Sequence, residues 1–101
     1  MTVEVVDEGR QQRYEARIDG ELAGFAVYIQ ADGMRVITHT EVEPAFEGKG
    51  VGSALARFAL DDIRARGEKV MAVCPFVLGW MQRHPDYADL AFNAPASRVV
   101  D

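Results

Sequence analysis

The stretch from Thr40 to Leu55 has the sequence TEVEPAFEGKGVGSAL. This pattern predicts a strand, a short glycine-rich turn and the first turns of a helix. Gly48, Gly50 and Gly52 alternate through the turn and carry no side chains that would block a ligand. The first backbone N–H groups of a helix lack intrahelical partners and carry the positive end of the helix dipole. The turn is therefore predicted to bind an anion, most often a phosphate.

The composition is that of one small globular domain. The chain has 101 residues, of which 49% are apolar and 27% charged, and its formal net charge is −5. We expect no nucleic-acid partner, because the sequence lacks a basic stripe. We expect no membrane partner, because no apolar run approaches the length of a bilayer span and the N-terminus lacks the pattern of a signal peptide. The single cysteine, Cys74, indicates a reducing, cytoplasmic setting.

Four apolar or alternating segments in the first half of the chain predict strands joined by tight turns. Asp19-Gly20 is a strong two-residue hairpin signal. Because the connections are short, neighbouring strands are expected to run antiparallel in a meander. The predicted strands cover Val3–Val6, Arg13–Ile18, Leu22–Gln30 and Met34–Val42.

A β-α-β unit is predicted to follow the meander. Pro44 ends the fourth strand, and apolar residues at helical spacing continue from about Gly50 to Arg66. Lys69–Val73 forms a fifth strand, which the helical crossover places parallel to the fourth. A second helix extends from Cys74-Pro75 to His84-Pro85, since proline suits the first helical position and the residue before proline avoids helical geometry.

Two well-known phosphate motifs do not fit the glycine turn. A P-loop needs Gly-Lys followed by Ser or Thr, whereas Gly48-Lys49 is followed by Gly50. A dinucleotide fingerprint needs a third glycine where this chain has Ser53, and an acidic residue near the end of the next strand, where it has Cys74. Neither motif is therefore favoured.

The order of meander, glycine turn, long helix and parallel strand resembles the GNAT acetyltransferase superfamily. Its acyl-CoA motif is Arg/Gln-x-x-Gly-x-Gly/Ala, which Glu47–Gly52 matches at the two glycines. The Thr-Glu-Val-x-Pro-x-Phe before the motif and the later Cys-Pro-Phe are similar to small, single-domain members of this superfamily. The resemblance covers Tyr14 to Tyr87. It implies a compact GNAT-like α+β fold in one domain over residues 1–92. Pro95 and the small residues around it predict a C-terminal tail over residues 93–101.

The resemblance implies that acetyl-CoA is the cosubstrate and assigns residues to it. The fourth and fifth strands would part near their ends and admit the pantetheine arm, which would pair with Glu41 and Val42 as another strand would. Glu47 departs from the family pattern, which has a basic or amide residue there, and its carboxylate repels a pyrophosphate. The pyrophosphate itself would lie on the backbone around the helix start, at Lys49, Gly50, Val51, Gly52 and Ser53.

Three residues are candidates for catalysis: Cys74, His39 and Glu41. Cys74 precedes a helix whose N-terminus would stabilise a nucleophilic thiolate; the alternative is a small buried core residue. His39 and Glu41 lie two apart on one strand and therefore share a face, either as an orienting base arrangement beside the thiol or as a polar surface. The resemblance implies a thioester close to Cys74, with Glu43 as another base and Tyr87 as a proton donor.

The predicted function is transfer of an acetyl group from acetyl-CoA to the amine of a small molecule or peptide, directly or through Cys74. The alternative is a non-catalytic CoA-binding or interaction module, because the short connection around Gly9 has no room for the helices that shape the acceptor site in the family. An open cleft or a partner subunit would complete the site, so both a monomer and a homodimer are consistent with it. Two histidines without clustered ligands predict no metal site.

Overall fold

The computed structural model describes residues 2–92, and the predicted tail over residues 93–101 lies outside them. A five-stranded sheet has the order β1-β2-β3-β4-β5, with the first four strands antiparallel and β5 parallel to β4. The predicted α+β fold class is confirmed. The strands and α-helices are β1 Val3–Glu8, β2 Arg13–Ile18, β3 Glu21–Ala31, β4 Met34–Val42, α1 Val51–Ala65, β5 Lys69–Ala72 and α2 Pro75–Arg83. Short 3₁₀ helices cover Gly9–Gln11, Pro44–Phe46 and Pro85–Leu90.

The β2–β3 hairpin has the turn that its sequence predicts. Asp19 and Gly20 both have positive φ, 52° and 81°, which is the backbone conformation that a type I′ turn requires at both positions. The turn after β1 begins later than expected. Asp7 and Glu8 still pair with the first residues of β2, so β1 extends two residues beyond its predicted end at Val6.

Helix α1 covers one face of the sheet, which we call the inner face, and packs against all five strands. The opposite, outer face carries partly exposed side chains such as Val6 and Ile29. The buried residues of α1 recur every three or four positions, as an amphipathic helix requires. They are Val51, Leu55, Ala56, Ala59, Leu60 and Ile63.

A bulge in β4 changes which residues face the helices. The partners of His39 and Ile37 on β3 are consecutive residues, so Thr38 is an extra residue in β4. Ile37 is fully buried in the core. Beyond the bulge it is Thr40 that lies on the inner face, where its hydroxyl contacts Cys74. His39 therefore lies on the outer face, although it is two residues from Ile37.

Strands β4 and β5 separate, as the resemblance implies, but they do so at the end of β5 and halfway along β4 rather than near the ends of both strands. Their last paired residues are Ile37 and Ala72. The Ile37 carbonyl then accepts hydrogen bonds from the amides of both Val73 and Cys74, each at 3.0 Å. Residues 38–42 run on beside β3 but have no strand on their other side within the described part of the chain. The sheet is therefore open at this end.

A buried arginine closes the opposite end of the sheet. Arg35 is 6% exposed, and its guanidinium donates to Asp7 at 3.0 Å and to the Tyr14 hydroxyl at 2.8 Å. It also lies 4.2 Å from the centroid of the Tyr28 ring. Tyr14 donates onward to Asp62 of α1 at 2.9 Å. Burial, together with the hydrogen bond to Asp7, raises the pKa of Tyr28 to about 12. This network joins the first four strands to α1.

We expect Arg35→Leu to lower the free energy of unfolding by about 3 kcal/mol, because it removes the buried cation that pairs with the carboxylates of Asp7 and Asp62 and leaves them the more exposed Arg66. Urea denaturation followed by circular dichroism measures the change. Arg10→Gln is the control, since Arg10 is exposed and the described residues give it no ion pair; its effect should stay within about 0.5 kcal/mol. Equal losses in the two variants would contradict the importance of the network.

Candidate functional site

The glycine turn has the backbone geometry of an anion site. Gly48 and Gly50 have φ of 80° and 78°, in the left-handed region that favours glycine. Gly50 is the N-cap of α1, with no side-chain cap, and its carbonyl accepts the first helical hydrogen bond from Ala54. The N–H groups of the intervening residues, 51–53, precede that bond and have no intrahelical acceptor. They form the positive end of the helix dipole.

Gly52 has a different reason to be glycine. A Cβ atom at this position would lie 2.9 Å from the Cζ atom of Phe76, a distance that real Cβ atoms do not tolerate. The ring of Phe76 thus packs directly on the first turn of α1. Close packing against Phe76 of α2, rather than a positive φ, favours the third glycine of the motif.

A cleft of about 400 Å³ opens beside the glycine turn. One wall is the end of β4 and the turn itself, and the other is one face of α2. The hydroxyl of Ser53 accepts a hydrogen bond from Nε1 of Trp80 at 2.8 Å, which holds α2 against the first turn of α1. The cleft is lined by Val42, Phe46, Glu47, Gly48, Gly50, Val51, Gly52, Ser53, Phe76, Trp80, Arg83 and His84.

Cys74 lies where the strands separate, at the N-cap of α2. It is 4% exposed, and its Sγ lies 3.4 Å from Oγ1 of Thr40. Burial raises the pKa of the Cys74 thiol, but hydrogen bonds from Thr40 and from the amides of Phe76 and Val77 outweigh it, so the net pKa is lowered. The site thus favours a thiolate relative to an ordinary cysteine.

His39 and Glu41 contact each other but not Cys74. Nε2 of His39 lies 3.1 Å from a carboxylate oxygen of Glu41. Both side chains are more than half exposed and lie on the outer face. Cys74 is held on the inner face by Thr40. The structure therefore places the predicted base arrangement and the predicted thiol on opposite sides of the open half of β4, and does not form one cluster from them.

The Tyr87 hydroxyl is engaged elsewhere. It donates to Asp61 of α1 at 2.7 Å and accepts from Arg57 at 3.2 Å. The hydrogen bond to Asp61, with burial as a second cause, raises the pKa of this phenol. These contacts hold the Tyr87 hydroxyl against the side of α1.

The residues that sequence reasoning did not assign to the site are Thr40 and the α2 face. Alternation along the strand predicts that Thr40 faces away from His39, and it does. Its contact with Cys74 joins residues 34 positions apart, which no strand pattern indicates. Phe76, Trp80, Arg83 and His84 follow helical spacing, and such a face is more often core. Nothing in that spacing distinguishes the wall of a cleft from a buried stripe.

Within residues 2–92, no three or more His, Cys, Asp or Glu side chains are grouped so that they could hold a metal ion. The helices in the same part of the chain include none that is long and apolar enough to span a bilayer.

The family model described as GCN5-related N-acetyl-transferase matches residues 13–90. The chain belongs to this family. Its members transfer acetyl groups from acetyl-CoA to amine acceptors. The match includes the meander from β2 onward, the glycine turn and α2, so it covers every residue of the cleft described above.

Individual proteins are also similar to this chain. Human protein NATD1 is 25% identical over 85 residues, which are 82% of this chain and 75% of NATD1. The solution structure of a GCN5-like protein from Staphylococcus aureus superposes with a TM-score of 0.68 at 19% identity, over 97% of this chain and 96% of that one. The structure of Ard1 from Thermoplasma volcanium superposes with a TM-score of 0.55 at 25% identity, over 64% of this chain. This chain spans 45% of the length of Ard1.

Glu47 brings a carboxylate to the cleft of this GCN5-related chain. It is exposed and lines the cleft. No cation in the described residues forms an ion pair with it. A carboxylate here faces the place where a pyrophosphate would bind.

We expect Glu47→Arg to lower the dissociation constant for CoA roughly two- to fivefold, because a solvent-exposed repulsion becomes an attraction. Isothermal titration calorimetry at low salt measures it. Asp32→Arg is the matched control, since it makes the same change in charge in the β3–β4 turn, at the closed end of the sheet. A similar gain in CoA affinity in both variants, or no gain in Glu47→Arg, would show that repulsion by Glu47 does not limit CoA binding.

Proposed function

We propose that this chain binds acetyl-CoA and transfers its acetyl group to the amine of a small molecule or peptide in the cytoplasm. One observation carries the proposal. The anion-binding turn at the start of α1 lines the same cleft as Val42, the last residue of the half of β4 that has separated from β5. A phosphate-bearing thioester needs both features, since its charged end and its reactive end are far apart.

The backbone supplies most of the proposed contacts. The pyrophosphate would accept hydrogen bonds from the amides at Gly50–Ser53, with the ammonium of Lys49 beside it. The pantetheine arm would pair with the backbone of Glu41 and Val42, which no strand occupies on that side among the described residues. Its thioester would then lie close to Cys74.

His39 and Glu41 fit a role as the base for the acceptor. A carboxylate only accepts hydrogen bonds, so the proton of His39 lies on Nε2 and leaves Nδ1 free to take a proton. An amine arriving from the outer face would meet this pair at the open half of β4. As the amine nitrogen bonds to the acetyl carbonyl carbon, the carbon–sulfur bond breaks and the CoA thiolate leaves.

Cys74 supports a two-step route through the same gap. Its thiolate would attack the thioester carbonyl carbon, release the CoA thiolate and carry the acetyl group as a new thioester. The amine would then take the acetyl group and return the thiol. The hydrogen bonds that lower the pKa of Cys74 favour the attacking form.

We expect the protein to gain one acetyl group at Cys74 when it is mixed with acetyl-CoA, and Cys74→Ser to lower acetyl transfer by about a hundredfold or more. Intact-protein mass spectrometry and release of the CoA thiol across a panel of amines measure these effects. Arg10→Gln is the control, and both its acetylation and its transfer rate should match those of the native chain. Transfer that survives in Cys74→Ser, with no adduct on the native chain, would leave only the direct route.

A second prediction concerns the ionisation of Cys74. Because the Thr40 hydroxyl lowers the pKa of Cys74, Thr40→Val should raise it and move the rise of the alkylation rate to higher pH. The normalised rate of iodoacetamide labelling against pH measures the shift. Thr38→Val is the control, since Thr38 contacts the carbonyl of Val27 instead. Coincident profiles for all three proteins would show that Thr40 does not tune the thiol.

The proposal leaves the identity of the amine acceptor open, because the side of the gap that would receive it is little enclosed. The β1–β2 connection is a three-residue 3₁₀ helix, Gly9–Gln11, so no helix from that region shapes the outer side of the gap. This geometry fits either an accessible amine reaching a monomer or a pocket completed in a homodimer. If CoA binds but no amine in the panel is acetylated, the chain is instead a CoA-binding module.

A further inference from the structure

The α2 wall of the cleft includes the last turn of α2 and its C-cap. Arg83 and His84 are the lining residues there. The proposed contacts with the pyrophosphate and pantetheine use neither of them. Among the described residues that line the cleft, Arg83 is nevertheless the one arginine or lysine, and His84 follows it directly in the chain.

Among residues 2–92, Arg83 differs from most of the arginines because no carboxylate forms an ion pair with it. Within residues 2–92, five arginines form ion pairs with carboxylates: Arg13, Arg17, Arg35, Arg64 and Arg66. Arg83 forms none in the same part of the chain, and its side chain is exposed. Its Nη1 atom lies 3.5 Å from where a Cβ atom of Gly79 would be, so the guanidinium folds back along α2.

His84 presents a fixed aromatic surface. Its ring stacks on Trp80 with the centroids 3.7 Å apart and the planes 12° apart. Nδ1 lies 2.7 Å from the carbonyl oxygen of Trp80. Since a carbonyl only accepts, Nδ1 carries the proton. The described residues provide no partner for Nε2. One face of the imidazole is therefore covered and held in place, while its other side is available to the cleft.

We propose that Arg83 and His84 form the subsite for the 3′-phosphorylated adenosine of CoA, with Arg83 on the 3′-phosphate and His84 under the base. The inference rests on the proposed function, because the glycine turn must hold the pyrophosphate of the same molecule. Guanidinium matches a phosphate with two parallel hydrogen bonds, and nucleobases stack on aromatic rings without regard to sequence. Arg83 brings a positive charge to the cleft of a chain whose net charge is −5, and no carboxylate in residues 2–92 forms an ion pair with it.

The subsite is tested with two ligands that differ only in the 3′-phosphate, CoA and 3′-dephospho-CoA. Isothermal titration calorimetry gives the dissociation constant of each for the native chain, Arg83→Gln and His84→Ala. Arg10→Gln is the matched control, because it removes an exposed arginine at the closed end of the sheet. We expect the native chain to bind CoA about tenfold more tightly than dephospho-CoA.

Arg83→Gln should bring the two constants together by weakening CoA alone, whereas His84→Ala should weaken both ligands by a similar factor. Arg10→Gln should change neither. Equal affinity of the native chain for the two ligands, or an equal loss of both in Arg83→Gln, overturns the subsite and leaves the proposed function intact. Binding of neither ligand by the native chain overturns the proposed function, and the subsite with it.

Discussion

The Ile37 carbonyl accepts hydrogen bonds from two consecutive amides, those of Val73 and Cys74, at 3.0 Å each. A ladder between parallel strands gives each carbonyl one amide, so the doubled bond marks the place where the ladder stops. Beyond it β5 leaves the sheet and the chain turns into α2. The second half of β4 keeps only its β3 neighbour. The gap, the position of the cysteine and the cleft beside α2 all follow from this one junction.

The bulge at Thr38 decides what faces the gap from each side. Strict alternation from the buried Ile37 would direct His39 and Glu41 towards the helices. One extra residue reverses that order and brings Thr40 to Cys74. A nucleophile and a base need not lie side by side if a reacting carbonyl group passes between two strands. The opposite placement of the thiol and the His39–Glu41 pair is consistent with donor and acceptor approaching from different faces.

Much of the fold follows from local sequence signals. The Asp19-Gly20 turn, the helical spacing of α1 and the Pro75 start of α2 fix most element boundaries to within a few residues. The bulge at Thr38 has no local signal, because nothing in the strand sequence marks an extra residue. The cleft has none either. The bond from Trp80 to Ser53 joins residues 27 positions apart, and such distant pairs are set by packing rather than by propensity.

The buried Arg35 network lies at the other end of the same sheet, where it holds the strands to α1. Energetic effects at well-separated sites are nearly additive. Substitutions around Glu47 or in the last turn of α2 can thus alter ligand preference while the anchoring interactions stay untouched. A domain of this size has little stability in reserve. Because the Arg35 network and the cleft lie apart, so short a chain can change its ligand preference without losing stability.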